Sequence, residues 1–442
     1  MKSLSTVQAR PAALAMDPSQ AAALGAMQRG DNVFLTGNAG TGKSTVVTTF
    51  LGQAFRRVDV TATTGVAALN LRDQFSARSG LHIPVSTVYR WAGIGLGPKP
   101  GESNAAAMKR LREDASLSRA AAWKRVRAAE CLVIDEISML PGRVFEFLEY
   151  VCRFLRGGDH PWGGLQVIAV GDFLQLPPVA AGGVYDWAFP SPVWAATGFR
   201  PAVLTTIHRQ ADPEFMDILN AVRVGKIEPR HVALLGRRIA RFPSATLLRL
   251  FTHNIQVDKW NASRLEALDG EEHVFEMTES GDRYQCDWLK KNLLTPATLR
   301  LKVGARVMVT VNLKDESGDL YAVNGTMGTV AGIDEPCVIV NTDYGRSISI
   351  QRFEWTDGEG GRSSASVVQF PLRLAWASTI HKAQGLSLDA ALIDARATRE
   401  PGQTYVALSR VRSLAGLFLR DAFSGVWVSP EAINFMNSLT RR

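Results

Sequence analysis

The run Gly37-Asn38-Ala39-Gly40-Thr41-Gly42-Lys43-Ser44 restricts this chain more than any other stretch. It fits the phosphate-loop pattern G-x-x-x-x-G-K-S, which works where a strand hands over to a helix. Small residues there let backbone N–H groups close around an anion, and the helix dipole favours negative charge. Both flanks agree: residues 33–35 are Val-Phe-Leu, a strand pattern, and the β-branched run from Thr45 to residue 49 can open a helix. In such a loop Lys43 sits against the β- and γ-phosphates as a point charge, and the Ser44 hydroxyl takes one site on Mg²⁺. An α/β protein that binds a nucleotide is the first expectation.

A parallel sheet places its chemistry at the carboxyl ends of its strands, so the other strand ends are the next places to look. Residues 131–136, Cys-Leu-Val-Ile-Asp-Glu, form an apolar strand that delivers two adjacent acids. Asp135 is suited to holding Mg²⁺, and Glu136 to orienting and deprotonating an attacking water. A third strand over 165–170 runs into Gly171-Asp172-Phe173-Leu174-Gln175-Leu176-Pro177-Pro178, where Gln175 could reach a γ-phosphate or the hydrolytic water. Upstream, Asp17 or Ser19 is a natural helix N-cap. Gln20 is then either a reader of an adenine edge or a solvated first-turn residue. Residues 58–68 read as strand, small-residue turn and helix, with Thr64 and Gly65 either admitting a phosphodiester or forming an ordinary corner.

The length, 442 residues with 46% hydrophobic content, allows several folded cores. The strand-and-helix pattern restarts near Leu204, with Arg209 and Gln210 before a helix over 214–224, an apolar run over 246–251, and the loop Thr252-His253-Asn254. Residues 301–355 change texture to short β-branched runs broken by glycine, which reads as a small β-barrel inserted in this second unit, with Asn324-Gly325 as a hairpin turn. The polar stretch 356–366 reads as the loop returning from it. Further on, His381 and Lys382, next to hydroxyls at a turn, either suit a phosphodiester backbone or decorate the surface, and Arg410, on a helix, either points across a cleft or is a surface charge. Residues 86–97 contain Tyr89, Trp91 and three glycines and read as a mobile loop whose rings could stack on bases; 98–127 is helical and basic.

Composition adds weaker constraints. A net charge of +8 suits a polyanionic partner. Cys131, Cys152, Cys286 and Cys337 are widely spaced, which supports neither a zinc site nor a disulfide framework and suits a reducing cytosol. No uninterrupted apolar run reaches the roughly 18 to 20 residues of a membrane span. The first sixteen residues lack an apolar signal core and read as a frayed terminus.

In order, Gly40-Thr41-Gly42-Lys43-Ser44, Asp135-Glu136-Ile137-Ser138-Met139, residues 171–178, His381-Lys382-Ala383-Gln384-Gly385 and Ala407-Leu408-Ser409-Arg410 resemble the petite-integration-frequency (PIF) helicases of the RecD-like branch of helicase superfamily one. The likeness runs from about Asp17 to Leu419, and residues 145–164 resemble the family's signature segment.

The resemblance implies two RecA-like parallel-sheet P-loop domains that sandwich ATP: 1–204, with a small inserted wedge at about 84–125, and 205–300 with 366–430. It makes 301–365 an SH3-like β-barrel insertion and leaves 431–442 as a C-terminal tail. ATP and Mg²⁺ are the implied cofactors, and the implied activity is 5′-to-3′ movement on single-stranded DNA with unwinding of duplex ahead. By this mapping Gln20 reads adenine, the residues from Gly37 to Thr45 together with Gly385 hold nucleotide, and Ser44 and Asp135 hold Mg²⁺. Glu136 activates water, Gln175 senses the γ-phosphate, and Arg209 and Arg410 are arginine fingers. Thr64, Gly65, Arg90, Trp91, His253, Asn254, Asn324, Gly325, Thr379, His381 and Lys382 face DNA. Tyr89-Arg90 stand where family members often carry His-Ser, and Thr63 where they often carry proline.

Implied partners are single-stranded DNA, 5′-tailed duplexes and, in the family, G-quadruplexes or RNA–DNA hybrids, among which no residue here selects. A monomer, free of membrane, in the cytoplasm with the nucleoid is the matching expectation. The rival reading is an ATP-switched nucleic-acid clamp that does not unwind processively.

Overall fold

A strand covered on both faces must be apolar almost throughout, because neither side can shelter polar groups in water. The first domain shows this pattern in the computed structural model, which describes residues 16–439 apart from 80–82, 114–116, 180–182, 211, 240–246, 316–319, 357–364 and 424. Six strands are present: β1 (Val33–Gly37), β2 (Val58–Ala62), β3 (Val85–Thr87), β4 (Cys131–Asp135), β5 (Gln166–Val170) and β6 (Arg200–Leu204). They pair in parallel in the order β3-β2-β4-β5-β1-β6. Alternate side chains enter two different cores, as the pleat requires. Phe34, Leu132, Ile134, Val167 and Ala169 face an aromatic layer with Phe145, Trp162 and Trp194. Val33, Leu35, Val133, Ile168 and Val170 face Met27, Val46, Phe50 and Phe75. The phosphate loop follows β1, the two acids end β4 and Asp172 follows β5, so all three stand at one sheet edge.

The second domain is a four-stranded parallel sheet of Ala377–Thr379, Arg249–Phe251, Ala391–Ile393 and Leu417–Leu419, in that spatial order. Helices Pro213–Val224 and Gln403–Leu408 pack on it through Phe215, Ile218 and Val406. The strand expected from 246 begins at Arg249; residues 240–246 lie outside the described residues, as do 1–15 at the expected frayed end.

The β-rich module is larger than the expected 301–365. Its core runs from Leu265 to Trp376. Thr298–Leu301 pairs with His273–Glu276, and Thr278–Gly281 pairs with Ala365–Gln369. These strands satisfy their backbone inside the module, which removes 273–301 from the second parallel sheet. The main sheet has five antiparallel strands. The expected hairpin at Asn324-Gly325 does not form: the turn is there, but Leu320–Ala322 pairs with Leu313–Lys314, while Met327–Asp334 pairs with Arg306–Val309 and Cys337–Thr342. Gly325 N–H donates to the Val309 carbonyl at 2.9 Å, tying the turn to a third strand instead. Of the expected return loop, 357–364 lies outside the described residues.

Two further expectations change. Residues 86–97 are not a free loop: Val88–Ala92 is a short helix whose Val88, Trp91 and Ala92, with Ile94 after it, are buried in the aromatic core. Helices Asn104–Glu113 and Leu117–Ala128 join them through Met108, Leu111 and Val126, so the expected wedge is continuous with the first domain. The C-terminal stretch is a helix, Pro430–Leu439, rather than a tail. Ala432 and Met436 are buried, and Phe435 stacks on Phe189 at 4.4 Å and meets Phe34, Phe173 and Trp194 edge-on or tilted. A chain that has just built the second sheet thus returns to close the first. No helix among the described residues is long and apolar enough to cross a membrane.

Truncating Phe435→Ala removes this aromatic contact and is expected to lower unfolding free energy by about 2–3 kcal/mol, read by urea denaturation.

Candidate active site

The phosphate loop is shaped by close backbone approaches that a side chain would block. Gly40 has φ +83°, and a Cβ there would lie 2.5 Å from Arg209 Cβ. Gly42 has φ +84° and caps helix Lys43–Gln53, with Gln20 Nε2 against it. Lys43 Nζ donates to the carbonyls of Gly37 at 2.8 Å and Asn38 at 3.1 Å, folded over the loop. Burial lowers its pKa, opposed by the nearby charges of Asp172 and Glu136. Thr41 is buried, its hydroxyl donating to the Asn38 carbonyl, and the Asn38 amide donates to Asn220 Oδ1 at 2.8 Å.

Gln20 is no solvated surface residue. It is 4% exposed; its Oε1 accepts from Asp17 N–H, its Nε2 donates to the Thr41 carbonyl at 3.1 Å, and His208 Nε2 lies 3.3 Å away. Asp17 caps the helix Pro18–Arg29 that carries it.

The two acids stand recessed at the end of β4. Burial first, and then the neighbouring Glu136, push the Asp135 carboxyl up to about 7. Burial also raises Glu136, against the pull of Lys43 and Arg410. Glu136 has φ 53° and ψ 42°, a left-handed backbone that costs a non-glycine residue about 1–3 kcal/mol. Gln175 is buried, its amide donating to Asp172 at 3.4 Å.

From the second domain, Arg410 is 2% exposed and held by the Val406 carbonyl and the Ser409 hydroxyl, both at 2.8 Å. Burial and the neighbouring Arg209 lower its pKa to about 9, which leaves it cationic at neutral pH. A cavity of about 1080 Å³ gathers these groups: Ala39, Gly40, Gly42, Lys43, Ser44, Thr45, Asp135, Glu136, Gln175, Arg209 and Arg410 all line it.

The same cavity reaches Thr64, Asn324, His381, Lys382 and Gly385. His381 lies 3.7 Å from Glu400, and Asn324 donates to Asn70 at 3.0 Å, joining the β-rich module to the first domain. The Thr64 hydroxyl accepts from Ala67 N–H, and that of Thr379, which is buried, accepts from Lys382 N–H. His253 and Asn254 are exposed at the start of helix Asn254–Glu266, outside this cavity.

Three of the expected DNA contacts are otherwise engaged. Trp91 is 2% exposed and donates through Nε1 to Asp59 at 2.8 Å, so its ring is core and not a stacking platform. Gly65 is buried beneath Asn292, whose side chain occupies the space a Cβ would need. Arg90 lies 4.9 Å over the Trp288 ring, a cation–π contact between the first domain and the β-rich module.

Sequence reasoning missed a second layer. Tyr405 Oη accepts from Ala39 N–H at 2.9 Å, and Arg223 pairs with Asp172 at 2.8 Å. Both cross between domains, so neither has a local signal. His208 could have been found as the neighbour of Arg209.

A phosphate loop, paired strand-end acids and arginines from a second parallel-sheet domain define a two-domain P-loop protein with a composite nucleotide site. A family model described as PIF1-like helicase matches residues 18–232. A Bdellovibrio bacteriovorus protein named ATP-dependent DNA helicase Pif1 is 38% identical over 408 residues, spanning 91% of this chain and 87% of that relative. The structure of Bacteroides sp. Pif1 in complex with ADP-AlF4 has a TM-score of 0.81 at 29% identity, over 97% of this chain and 98% of that one. Bacteroides Pif1 bound to ssDNA gives 0.66 at 29% identity over 96% and 97%. The chain belongs to the PIF1-like helicase family.

Replacing Trp91 by Phe removes the donor to Asp59 Oδ2 and leaves Arg57 on Oδ1, and is expected to cost about 1–3 kcal/mol of stability in urea titrations. Affinity for single-stranded DNA, read by fluorescence anisotropy, should stay within about twofold, since the ring is sheltered.

Proposed function

We propose that this protein is an ATP-dependent DNA helicase that moves 5′ to 3′ on single-stranded DNA and unwinds duplexes with a 5′ tail. The observation that carries this reading is the single cavity in which the phosphate loop, Glu136 and Arg410 of the opposite domain meet Thr64, His381 and Lys382. Nucleotide groups and candidate DNA contacts line one continuous space, so closing the cleft on ATP must disturb the groups that grip the polymer.

In this reading Lys43 and the loop amides hold the β- and γ-phosphates, and Gln20 with His208 borders the base. Glu136 accepts a proton from water as its oxygen attacks the γ-phosphorus. The bond to the β-γ bridging oxygen breaks, giving ADP and inorganic phosphate. Arg209 and Arg410 stabilise the charge developing on the transferring group, which they can do only when the second domain is docked. The donor set suits Mg²⁺: Ser44 and Asp135 offer hard oxygens, and an acid raised to about 7 by burial gains from a cation beside it. The ion would neutralise phosphate charge at that place. Thr64, Thr379, His381 and Lys382 offer hydroxyls and cations to phosphodiesters with no base-specific pattern.

ATP turnover measured with and without oligo(dT), together with unwinding of 5′-tailed and 3′-tailed duplexes, tests the reading. Stimulation by single strands and unwinding from the 5′ tail alone are expected. Absence of stimulation defeats the motor, and stimulation without unwinding leaves an ATP-driven clamp. Lys43→Ala and Glu136→Gln should each lower kcat by about a hundredfold or more, with Glu136→Gln still binding ATP. Arg410→Ala should depress hydrolysis by about tenfold to a thousandfold while DNA affinity is largely kept.

A further inference from the structure

Asp172 sits in the turn after β5 with no exposed surface, and a carboxylate so placed must be fully paired. Its partners come from both domains. Arg223, near the end of helix Pro213–Val224, forks onto it: Nη2 donates to Oδ1 at 2.8 Å and Nε to Oδ2 at 3.1 Å. On the other side Leu174 N–H donates to Oδ1 at 3.1 Å, and the Gln175 amide donates to Oδ2 at 3.4 Å. Gln175 N–H also donates to the Asp172 carbonyl at 2.9 Å. The backbone of this turn is touched from the second domain as well: Gly402, with φ +73°, lies so close that a Cβ would run into the Gln175 carbonyl oxygen.

The turn carrying Gln175 therefore belongs to the first sheet by connectivity and to the second domain by contact. A planar guanidinium that occupies both oxygens fixes the carboxylate's rotation, which one point charge cannot do. With Asp172 fixed, the Gln175 amide has a defined anchor facing the cavity. If the second domain withdraws, the fork leaves, and the acid near Lys43 keeps Leu174 N–H on Oδ1 and the long 3.4 Å contact from Gln175 on Oδ2, a looser hold.

We propose that Arg223 is a positioning residue for ATP hydrolysis: through Asp172 it sets the Gln175 amide, so the γ-phosphate sensor is in place only while the second domain is docked. This rests on the helicase reading and adds to it a second route of interdomain coupling, separate from the arginines that line the cavity.

The test is a mutant cycle between Arg223 and Gln175, which share Asp172 as a hydrogen-bond partner. Steady-state hydrolysis at saturating oligo(dT) is measured for wild type, Arg223→Gln, Gln175→Ala and the double variant. Each single change is expected to lower kcat by about tenfold or more with KM for ATP within about threefold, and the double variant to be no slower than the slower single. Losses that multiply would mean that Arg223 is only interdomain glue and would overturn the proposal.

Arg223→Lys keeps the charge without the fork and should remain about fivefold or more below wild type; full recovery would also overturn it. Should Arg223→Gln fail to fold by circular dichroism, the cycle is run with Arg223→Lys under the same criterion. A wild type that DNA does not stimulate defeats the helicase reading itself. Multiplying losses in an active wild type defeat this inference alone.

Discussion

Charge taken out of water at the seam between two parallel sheets is the constraint on which this molecule depends. Asp172 and Arg410 are buried outright, Lys43, Asp135, Glu136 and Arg223 are half-buried beside them, and each would be costly alone. Asp172 shows the balance best. Burial pushes its carboxyl up, yet Arg223 and Lys43 outweigh that and hold it below the ordinary range. Asp135 and Glu136 have no such forked partner among the described residues and are left raised, as acids kept ready for a cation and a water.

The rest of the fold keeps this seam in place. The six-stranded sheet brings the loop, the acids and Asp172 to one edge, because parallel strands all end on the same side. Behind that edge lies a dense aromatic layer, into which the final helix inserts Phe435 after the chain has finished the second domain. The two domains are thus joined at the site by charge and hydrogen bonds, together with Ala39 and Leu176 packed into the second core, and behind it by aromatic packing. Charge pairs are directional and can be exchanged for a ligand's charge; packed rings are not so easily exchanged. The site is therefore where the molecule can respond to a nucleotide.

Most of the site's first-domain half was legible, since each piece is a local pattern at a strand end. Gly37 to Ser44 declares an anion site by glycine spacing, and Cys131–Asp135 declares a buried strand by its unbroken apolar run. Trp91 was misread because an aromatic among glycines looks the same whether its ring faces solvent or core; only the packing of Val88, Ile94 and Met108 around it decides. The β-rich module was placed too narrowly because Thr278–Gly281 has no apolar pattern of its own, and its membership comes from pairing with Ala365–Gln369. Asn324-Gly325 is a turn, as its residues demand, but turn chemistry does not say which strands will pair beside it.

By itself, the sequence determined the α/β class, the anion-binding loop and the acids at a strand end, because these follow from residue types a few positions apart. Tertiary structure alone decided what faces them. Arg223 on Asp172, Tyr405 on Ala39 and Gly402 against Gln175 join residues far apart in the chain, and no local periodicity records such a meeting. The physical reason is that desolvated charge is compensated by whatever lies nearest in space, and only the docking of two separately built sheets settles what that is.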